Sequence, residues 1–414
     1  MKLTPGDEAV LAAVAAAGEA MIARAVAWCG VNSGSRNLEG LERQRVRLAQ
    51  AFAILPGQVE SLALPPSREV AADGAERALP HADALRVVVR PQAPVQLVLT
   101  GHYDTVYGAE SPFQHMAVRP DGALHGPGIA DMKGGVSLML AALAAFEAHP
   151  EAGQVGYVVL LSPDEEIGSP ASAPLLAQIA ARAHVGMTYE PAMPDGALAA
   201  ARKGSGNFHV AVRGAAAHAG RDFARGRNAL AAAARLAAAL DALNGVRDEV
   251  TVNIGRIDGG GPLNMVPDAA VTRFNIRVPD ADAAVWCQAR IAEILAAVQG
   301  DGLTAVLHGG FTRPPKPFNA AQQQLFGAVV EVGGLLGQAV TWRPSGGVCE
   351  GNNLFAAGLP NVDTLGVRGG DIHSEAEYAW PDSFVERAQL SALMLCKMAS
   401  GEIDAPAIRA ANVR

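Results

Sequence analysis

The spacing of apolar residues divides the 414-residue chain into two kinds of region. In the first, short apolar runs alternate with segments of helical periodicity. This pattern predicts strands at residues 86–89, 95–100, 156–161 and 185–189, and helices at 7–29, 38–55, 133–147 and 170–183. Strands that alternate with helices indicate an α/β domain built on a mainly parallel sheet.

The pattern changes after residue 203. It predicts strands at 207–213, 251–257, 270–278 and 303–308, and helices at 228–243 and 281–298. This β-α-β-β-α-β order is that of a ferredoxin-like unit. Pro314-Pro315-Lys316-Pro317 is interpreted as the link out of it, and predicted helices at 322–337 and 383–399 rejoin the first domain. We therefore predict one domain in two segments, 1–203 and 315–414, with a second domain inserted at 204–314.

Composition narrows the class of partner. The formal net charge is −8 and no basic stripe is present, so we expect neither nucleic acid nor a membrane surface as a partner. The longest apolar runs, such as 135–146, are too short to span a bilayer. Cys29, Cys287, Cys349 and Cys396 form no C-x-x-C pair, which favours a reducing compartment. No secretory signal is visible, and we predict a cytoplasmic protein.

Polar clusters follow the predicted strands, where open α/β sheets bind their ligands. In Gly101-His102-Tyr103-Asp104-Thr105, the imidazole of His102 is a suitable zinc ligand, and Asp104 can hold its other ring nitrogen. A capped loop histidine is the ordinary alternative. Asp131 lies in a glycine-rich stretch before a predicted helix. It can be a simple N-cap, or its two oxygens can bridge two metal ions.

The third cluster is Asp164-Glu165-Glu166, directly after an apolar strand. Three adjacent acids at a buried strand end repel one another, so cations or protons must compensate them. Two neighbouring glutamates can divide the work, one binding a metal and the other moving a proton. A solvated acidic loop is the alternative interpretation, and the apolar strand before it weakens that alternative.

Two further residues complete a ligand set of two histidines and three carboxylates. Glu190 follows the strand at 185–189, and His373 lies in a glycine-containing loop before Ser374-Glu375. Nitrogen and oxygen ligands of this kind suit zinc, with manganese or cobalt as substitutes. The predicted metal ligands are His102, Asp131, Glu166, Glu190 and His373.

In this order, the motifs H-x-D-T-V, G-x-x-D-M-K-G-G, D-E-E-x-G-S and H-S-E resemble those of the M20 family of metallopeptidases. They are most similar to its glutamate carboxypeptidases; acetylornithine deacetylase and succinyl-diaminopimelate desuccinylase are other members. The resemblance covers nearly the whole chain. It implies a mainly parallel α/β zinc-hydrolase domain, an inserted ferredoxin-like α+β dimerisation or lid domain, a homodimer and two Zn²⁺ per chain. It also implies cleavage of the amide bond of an N-acyl amino acid or small peptide.

The resemblance also implies residue roles. One zinc would be held by His102 and Glu190, the other by Glu166 and His373, with Asp131 bridging both. Glu165 would be the general base and Asp104 would orient His102. In the inserted domain, His218 would assist the oxyanion, and Asn264 and Arg277 would grip the substrate's α-carboxylate. Gly347 lies in the glycine-rich stretch that would line the substrate pocket.

The chain departs from the family in two places. Val348-Cys349-Glu350 stands where relatives commonly carry Thr or Ser followed by Asp, and Arg202-Lys203 is hard to align with the substrate loop. Cys349 has no paired base nearby in sequence and is interpreted as structural or pocket-lining. Two other functions stay open: a dipeptidase or aminopeptidase of the same fold, which needs a site for a free amine, and a non-catalytic binding protein, in which Glu165 or a ligand would be lost.

Overall fold

The computed structural model describes residues 1–412. The helices are α1 Pro5–Ala16, α2 Gly18–Cys29, α3 Leu38–Phe52, α4 Gly134–Phe146, α5 Ala173–Ala180, α6 Ala229–Asp241, α7 Ala281–Val298, α8 Ala320–Leu335, α9 Glu350–Ala356, α10 Asp382–Ala399 and α11 Ala405–Ala410. The strands are β1 Gln58–Leu62, β2 Ser67–Val70, β3 Glu76–Leu79, β4 Ala84–Val89, β5 Val95–His102, β6 Ala117–Val118, β7 Leu124–His125, β8 Val155–Ser162, β9 Val185–Thr188, β10 Leu198–Arg202, β11 Gly204–Arg213, β12 Ala217–His218, β13 Thr251–Gly259, β14 Met265–Val266, β15 Ala269–Val278, β16 Thr304–Arg313, β17 Trp342–Ser345, β18 Asn361–Val362, β19 Gly369–Gly370 and β20 Tyr378–Ala379.

A six-stranded sheet forms the centre of the first domain, in the order β1-β4-β8-β5-β9-β18. Strand β5 pairs in parallel with β8 and β9, and β9 pairs in parallel with β18. Strand β4, next to the edge strand β1, is antiparallel to both of its neighbours, β1 and β8. The predicted mainly parallel α/β sheet is therefore confirmed, and the carboxyl ends of β5, β8 and β9 meet at one edge.

Helices cover both faces of this sheet. Leu97 and Leu99 of β5 pack into the larger core with α4 and α10, whereas Val98 packs with α5 and α9 on the other face. This alternation is expected of a strand buried on both sides. The segment Ile129–Phe146 is long and apolar enough for a membrane span, but 94% of it is buried inside the protein. It is the central helix of the core.

The inserted domain has its own sheet and its own core. Its four strands are antiparallel in the order β13-β15-β11-β16, with α6 and α7 on one face. The chain order β11-α6-β13-β15-α7-β16 is the predicted ferredoxin-like order. Strand β11 pairs along its whole length with β15, from Gly204 opposite Val278 to Arg213 opposite Ala269.

A hairpin of β2 and β3 connects the two domains. It belongs to the first segment of the chain, yet Val70 is buried against Ala211 and Val271 on the open face of the inserted sheet. Arg273 Nη2 donates to the backbone oxygen of Val70 at 2.7 Å, and His308 Nδ1 lies 2.9 Å from Glu76 Oε1. The inserted sheet is thus held between its own helices and a hairpin of the other domain.

The chain enters and leaves the inserted domain at adjacent positions. Arg202 N donates to Lys316 O at 2.9 Å, and Lys316 N donates to Arg202 O at 3.0 Å. The side-chain amide of Asn352, in α9, donates to the backbone oxygens of Lys203 and Pro314. The hinge between the domains is therefore a narrow pair of strands that α9 holds together.

Several elements differ from the predictions. The single helix predicted at 7–29 is two helices, bent by 48°. Gly18 begins the second one where a Cβ atom would lie 2.9 Å from Val385, so the bend follows close packing on α10. The helix predicted at 170–183 covers only Ala173–Ala180, because the Asp164 carboxylate binds the backbone N–H groups of Ala171 and Ser172. Strands β1 to β3 and helix α9 were not predicted.

Candidate metal centre and substrate cavity

The predicted metal ligands meet at the carboxyl edge of the central sheet. His102 ends β5, Glu166 follows β8 and Glu190 follows β9. Because these three strands are parallel neighbours, their ends place the side chains together. Asp131 lies in the turn before α4, and His373 lies in the loop between β19 and β20. All five residues are brought into two groups whose ligand atoms lie within 4.8 Å of one another.

Asp131 belongs to both groups. Its Oδ1 lies 3.0 Å from His102 Nε2, which is also 3.7 Å from Glu190 Oε2. Its Oδ2 lies 3.3 Å from His373 Nε2, which is 3.1 Å from Glu166 Oε2. One carboxylate with an oxygen directed at each group is the arrangement that a ligand bridging two ions requires.

The donor set fits divalent cations. Asp131, Glu166 and Glu190 have almost fully buried side chains, and no lysine or arginine of residues 1–412 forms an ion pair with any of them. Oε1 of Glu190 is buried without a hydrogen-bond partner in the same part of the chain. A buried carboxylate oxygen without a partner is costly, and a metal ion is one way to satisfy it.

The pKa values in this cluster reflect the missing positive charge. Burial, followed by the charge of Asp131, raises the pKa of Glu166 to about 8, and burial raises the pKa of Glu190 to about 7. Hydrogen bonds to Asp131 and Glu166 raise the pKa of His373 to about 11. Carboxylates bind metal ions in their deprotonated form, so cations bound here would lower the pKa of both glutamates.

Asp104 positions both a ligand and the acidic turn. Its side chain is fully buried, and His102 Nδ1 lies 3.0 Å from its backbone oxygen and 3.3 Å from its Oδ1. These acceptors make Nδ1 the donor nitrogen, so Nε2 is left for the cluster. The same carboxylate accepts the backbone N–H groups of Glu165 and Glu166, both at 3.2 Å.

Glu377 is a supporting residue that the sequence did not reveal. It is fully buried, and its carboxylate accepts the backbone N–H groups of Gly128, Ala130 and Asp131 at 2.9–3.0 Å. It thereby holds the turn that carries Asp131. The only signal in the sequence is an acid shortly after His373, which is too common a feature to identify this contact.

The predicted general base has an arginine partner. Arg313, at the end of β16, is 2% exposed, and its Nη2 donates to Glu165 Oε1 at 2.7 Å. Burial raises the pKa of Glu165, and the charge of Arg313 opposes that effect. No local pattern in the sequence marks Arg313 as this partner, because it lies 148 positions from Glu165.

A cavity of about 670 Å³ extends from the metal centre toward the inserted domain. Arg277 lines it without an acid partner: its Nε donates to Asn275 Oδ1 at 3.0 Å, and its buried Nη1 has no hydrogen-bond partner in the described chain. An arginine only donates, so Oδ1 of Asn275 must face Arg277. The amide nitrogen of Asn275 therefore faces the side-chain oxygens of Ser205 and Asn207 and donates to them at 2.9 and 2.8 Å. Donor groups of Arg277, Ser205 and Asn207 thus remain for a ligand.

Arg202, which lines the cavity, belongs to a second buried ionic group that we call the Asp363 cluster: Asp363, Arg202 and Lys316. Arg202 Nε and Nη2 both donate to the Asp363 carboxylate at 2.9 Å, and Lys316 Nζ donates to it at 2.5 Å. Arg202 Nη1 also donates to Gly347 O at 3.1 Å. The residue that was hard to align from the sequence is therefore part of this cluster.

Two of the three predicted site residues of the inserted domain, His218 and Asn264, lie away from the cavity of their own chain. His218 is exposed, and its Nδ1 accepts the backbone N–H groups of Gly220 and Arg221 at 3.1 Å. Asn264 is exposed on the neighbouring segment, where its backbone oxygen accepts from Ala219 N. Neither lines the cavity, whereas Gly347 and Arg277 do.

Two other candidate chemistries do not fit. Asp7, His149 and Cys396 are close enough to hold an ion, but Lys397 Nζ already lies 3.0 Å from Asp7. Nδ1 of His149 accepts from Glu151 N, so Nε2 carries the ring hydrogen and is not a free ligand. Cys349 lines the cavity, but burial raises the pKa of its thiol, which agrees with the structural role predicted for it.

Known proteins resemble the chain in sequence and in fold. Peptidase family M20/M25/M40 matches residues 98–397. Carboxypeptidase G2 of Pseudomonas sp. is 30% identical over 321 residues, which is 74% of each protein. Succinyl-diaminopimelate desuccinylase of Halorhodospira halophila is 30% identical over 295 residues, 67% of this chain and 76% of that protein.

Solved structures share the fold at low identity. A tripeptidase of Staphylococcus aureus superposes with a TM-score of 0.71 at 21% identity, covering 92% of this chain and 99% of its own. An M20 family metallo-carboxypeptidase of Sulfolobus solfataricus superposes with a TM-score of 0.71 at 15% identity, covering 91% and 98%. Both the catalytic and the inserted domain lie within these superpositions.

Proposed function

The chain belongs to peptidase family M20/M25/M40, and from this premise we propose that it is a dizinc hydrolase of N-acyl amino acids or small C-terminal amino-acid amides. The observation that carries the proposal is Asp131, with one oxygen directed at each of two histidine–carboxylate groups beside Glu165. Manganese or cobalt would suit the same ligands.

The ligand roles follow from the two groups. His102 and Glu190 would hold one ion, Glu166 and His373 the other, and Asp131 both. Two divalent ions at such a site polarise the scissile carbonyl and make a water molecule more acidic. Asp104 keeps the Nε2 atom of His102 directed at the group.

Glu165 is placed to move the proton. It lies directly beside the ligand Glu166, in a turn that Asp104 holds by two backbone N–H groups. In the proposed reaction Glu165 accepts a proton from the attacking water and delivers it to the leaving amine, so the amide bond breaks without a charged amide nitrogen as leaving group.

Arg277 is the group best placed to bind the substrate's carboxylate. It faces the cavity with an unpaired guanidinium, and Ser205 and Asn207 offer further donors beside it. A planar guanidinium suits a carboxylate, which can accept two parallel hydrogen bonds. This favours a substrate that ends in a free α-carboxylate over one that presents a free amine.

Metal analysis combined with a substrate panel tests the proposal. We expect two ions per chain, loss of turnover on chelation and recovery on adding Zn²⁺. The panel contains N-acyl derivatives of glutamate, aspartate and ornithine, together with dipeptides that carry a free amine. One ion or none in the active enzyme would refute the two-metal site. Hydrolysis of the dipeptides alone would favour the dipeptidase or aminopeptidase function, and no turnover by a fully metallated protein would favour a binding protein.

We also propose that the chain works as a homodimer in which His218 and Asn264 reach the partner's cavity. Both lie outside the cavity of their own chain, on a part of the inserted domain that exposes apolar side chains. Phe223 is 66% exposed and Leu263 is 102% exposed, next to the pairing of β12 with β14. An exposed apolar surface beside functional polar residues is typical of an interface.

Mixing two inactive variants tests the dimer. Glu165→Gln and His218→Ala homodimers should each be nearly inactive. If His218 acts across the interface, one site of the mixed dimer has both residues intact, and activity returns toward half of the wild-type value. Subunit exchange without any recovery, or a monomeric active enzyme, would contradict the arrangement. The cytoplasmic location and the absence of nucleic-acid or membrane partners stay predictions from the sequence.

A further inference from the structure

Helix α9 connects the wall of the cavity, the hinge and the proposed general base. It begins directly after the glycine-rich stretch that contains Gly347, which lines the cavity. Its residues Asn352 and Asn353 make different contacts: Asn352 binds the two hinge strands, whereas Asn353 binds the side chain of Arg313. Glu350, Asn352 and Asn353 occupy the first turn of this helix, the part nearest the cavity.

Arg313 joins Asn353 to Glu165. Its Nη1 donates to Asn353 Oδ1, and its Nη2 donates both to Oε1 of Glu165, at 2.7 Å, and to the backbone oxygen of the same residue, at 3.2 Å. The two ends of one planar guanidinium are therefore occupied by different partners. Because the group is rigid, fixing one end fixes the direction of the other.

The orientation of Asn353 is determined by its partners. Arginine can only donate, so Oδ1 must be the atom that faces Arg313. The amide nitrogen then faces the backbone oxygen of Thr312 and donates to it at 2.9 Å. Asn353 thus contacts both the side chain of Arg313 and the backbone oxygen of the residue before it, Thr312. Asn353 itself is only partly buried.

Arg313 leaves one of the two carboxylate oxygens of Glu165 free. Oε1 is held by Arg313, and Oε2 has no hydrogen bond to any group of residues 1–412. An immobile carboxylate with one free oxygen meets the requirement of a general base, which must accept a proton in one defined direction.

We propose that Asn353 is a positioning residue of the reaction: through Arg313 it holds Oε1 of Glu165, so that Oε2 faces the attacking water. The inference rests on the proposed function of Glu165. Asn353 contacts neither the metal ligands nor the cavity directly, and it acts only through the arginine.

The kinetic test compares Asn353→Ala with Asn353→Asp. Alanine removes the acceptor for Arg313, and we expect kcat to fall about 10-fold, as for the loss of a hydrogen bond to a charged group. KM should stay unchanged because Arg277 and the metal ligands are untouched. Aspartate keeps an acceptor for Arg313 but cannot donate to Thr312 O, so we expect it to restore most of kcat. In both variants, the metal content and the midpoint of thermal unfolding should match those of the wild type.

Asn352→Ala is the matched control, since it releases the hinge oxygens of Lys203 and Pro314 and leaves the Arg313 contact in place. Wild-type kcat in Asn353→Ala would overturn the proposal. So would an equal loss in Asn353→Asp, which would assign the effect to Thr312 and the hinge, or a change in KM alone.

A second pair of measurements separates this proposal from the function on which it rests. In an Arg313→Lys background a single ammonium cannot hold both Asn353 and Glu165, so adding Asn353→Ala should lower kcat little further. If the two substitutions lowered kcat by fully additive free energies, the link through Arg313 would be contradicted. Crystal structures need no turnover: we expect one Glu165 conformer in the wild type and Asn353→Asp, and several in Asn353→Ala. An unchanged Glu165 in Asn353→Ala refutes the positioning role even if the wild-type protein hydrolyses none of the panel, a result that would refute the proposed function separately.

Discussion

The cavity is bordered by two buried ionic groups that differ in their balance of charge. The metal centre has three carboxylates and no lysine or arginine paired with them within residues 1–412. In the Asp363 cluster one carboxylate is surrounded by two cations, Arg202 and Lys316, with all three side chains at most 7% exposed. The carboxylates of the first group lack a lysine or arginine partner in the described chain, whereas the carboxylate of the second is paired with two cations.

The difference separates a binding site from a structural one. At the metal centre, burial is the main cause that raises the pKa of Glu166 and Glu190, and the charge of Asp131 adds to it. In the Asp363 cluster the two cations lower the pKa of the carboxyl although burial acts in the other direction. We therefore expect substitutions in the first group to change activity, and substitutions in the second to change stability.

The largest expected effect is on turnover. Glu165→Gln removes the proton acceptor but no predicted metal ligand, so kcat should fall by about 10²–10⁴-fold. Metal content should stay close to the wild-type value. Steady-state kinetics on a metallated sample of known ion content measures the effect. Near-normal turnover would remove Glu165 from the role of base.

A substitution in the Asp363 cluster should lower the stability of the protein. Asp363→Asn leaves two buried cations without their carboxylate, a change that costs roughly 3–5 kcal/mol. Glu166→Gln in the ion-free protein removes a buried carboxyl group that has no lysine or arginine partner within residues 1–412, and we expect its stability to be unchanged or higher. Equilibrium denaturation of both variants without metal gives the comparison. Equal destabilisation by the two substitutions would show that the groups do not differ as proposed.

Arg277→Ala should have a smaller effect, confined to substrate binding. Loss of a hydrogen bond to a charged group costs about 1.5–3 kcal/mol. The loss should be large for an N-acyl amino acid and small for its carboxamide, which lacks the negative charge. Measuring kcat/KM for this matched pair tests the role, and an unchanged preference for the acid would place the carboxylate site elsewhere.

The smallest expected change is the response of the Asp363 cluster to mild acid. Arg202 and Lys316 lower the pKa of Asp363 below its ordinary value of 3.8, although burial alone would raise it. A carboxyl with a lowered pKa stabilises the fold above its unfolded-state value and loses that contribution as the pH falls through the folded-state value. The stability difference between wild type and Asp363→Asn should therefore be constant from pH 8 to pH 5. A decrease within that range would contradict the assignment.

The metal centre could be predicted from the sequence because its residues follow strands that are easy to recognise. His102 and Glu190 come directly after apolar strands, and parallel neighbours end at one edge. Once the strands are predicted, the positions of their ends follow. Asp131 and His373 carried less information, since a turn and a late loop have no periodic pattern.

The supporting contacts could not be predicted, because they join distant parts of the chain. Lys316 and Asp363 are 47 positions apart, and Glu377 and Asp131 are 246 apart. No local pattern marks such partners, which the tertiary fold alone brings together. Strands β2 and β3 were missed for a related reason: they are mostly exposed and polar, and only Val70 of the two is buried.

The paired backbone hydrogen bonds between Arg202 and Lys316 give the molecule a modular topology. The two ends of the inserted domain lie as close as neighbouring strands of a hairpin, so a tight turn could join them without moving either one. In protein engineering, such a junction allows the domain to be exchanged as a unit. A domain transplanted from a relative would bring its own residues at the positions of His218, Asn264 and Arg277, while the five metal ligands and Glu165 would stay in the recipient. The transplanted domain would also carry the position of Arg313, so an exchange would have to keep that arginine as the partner of Glu165.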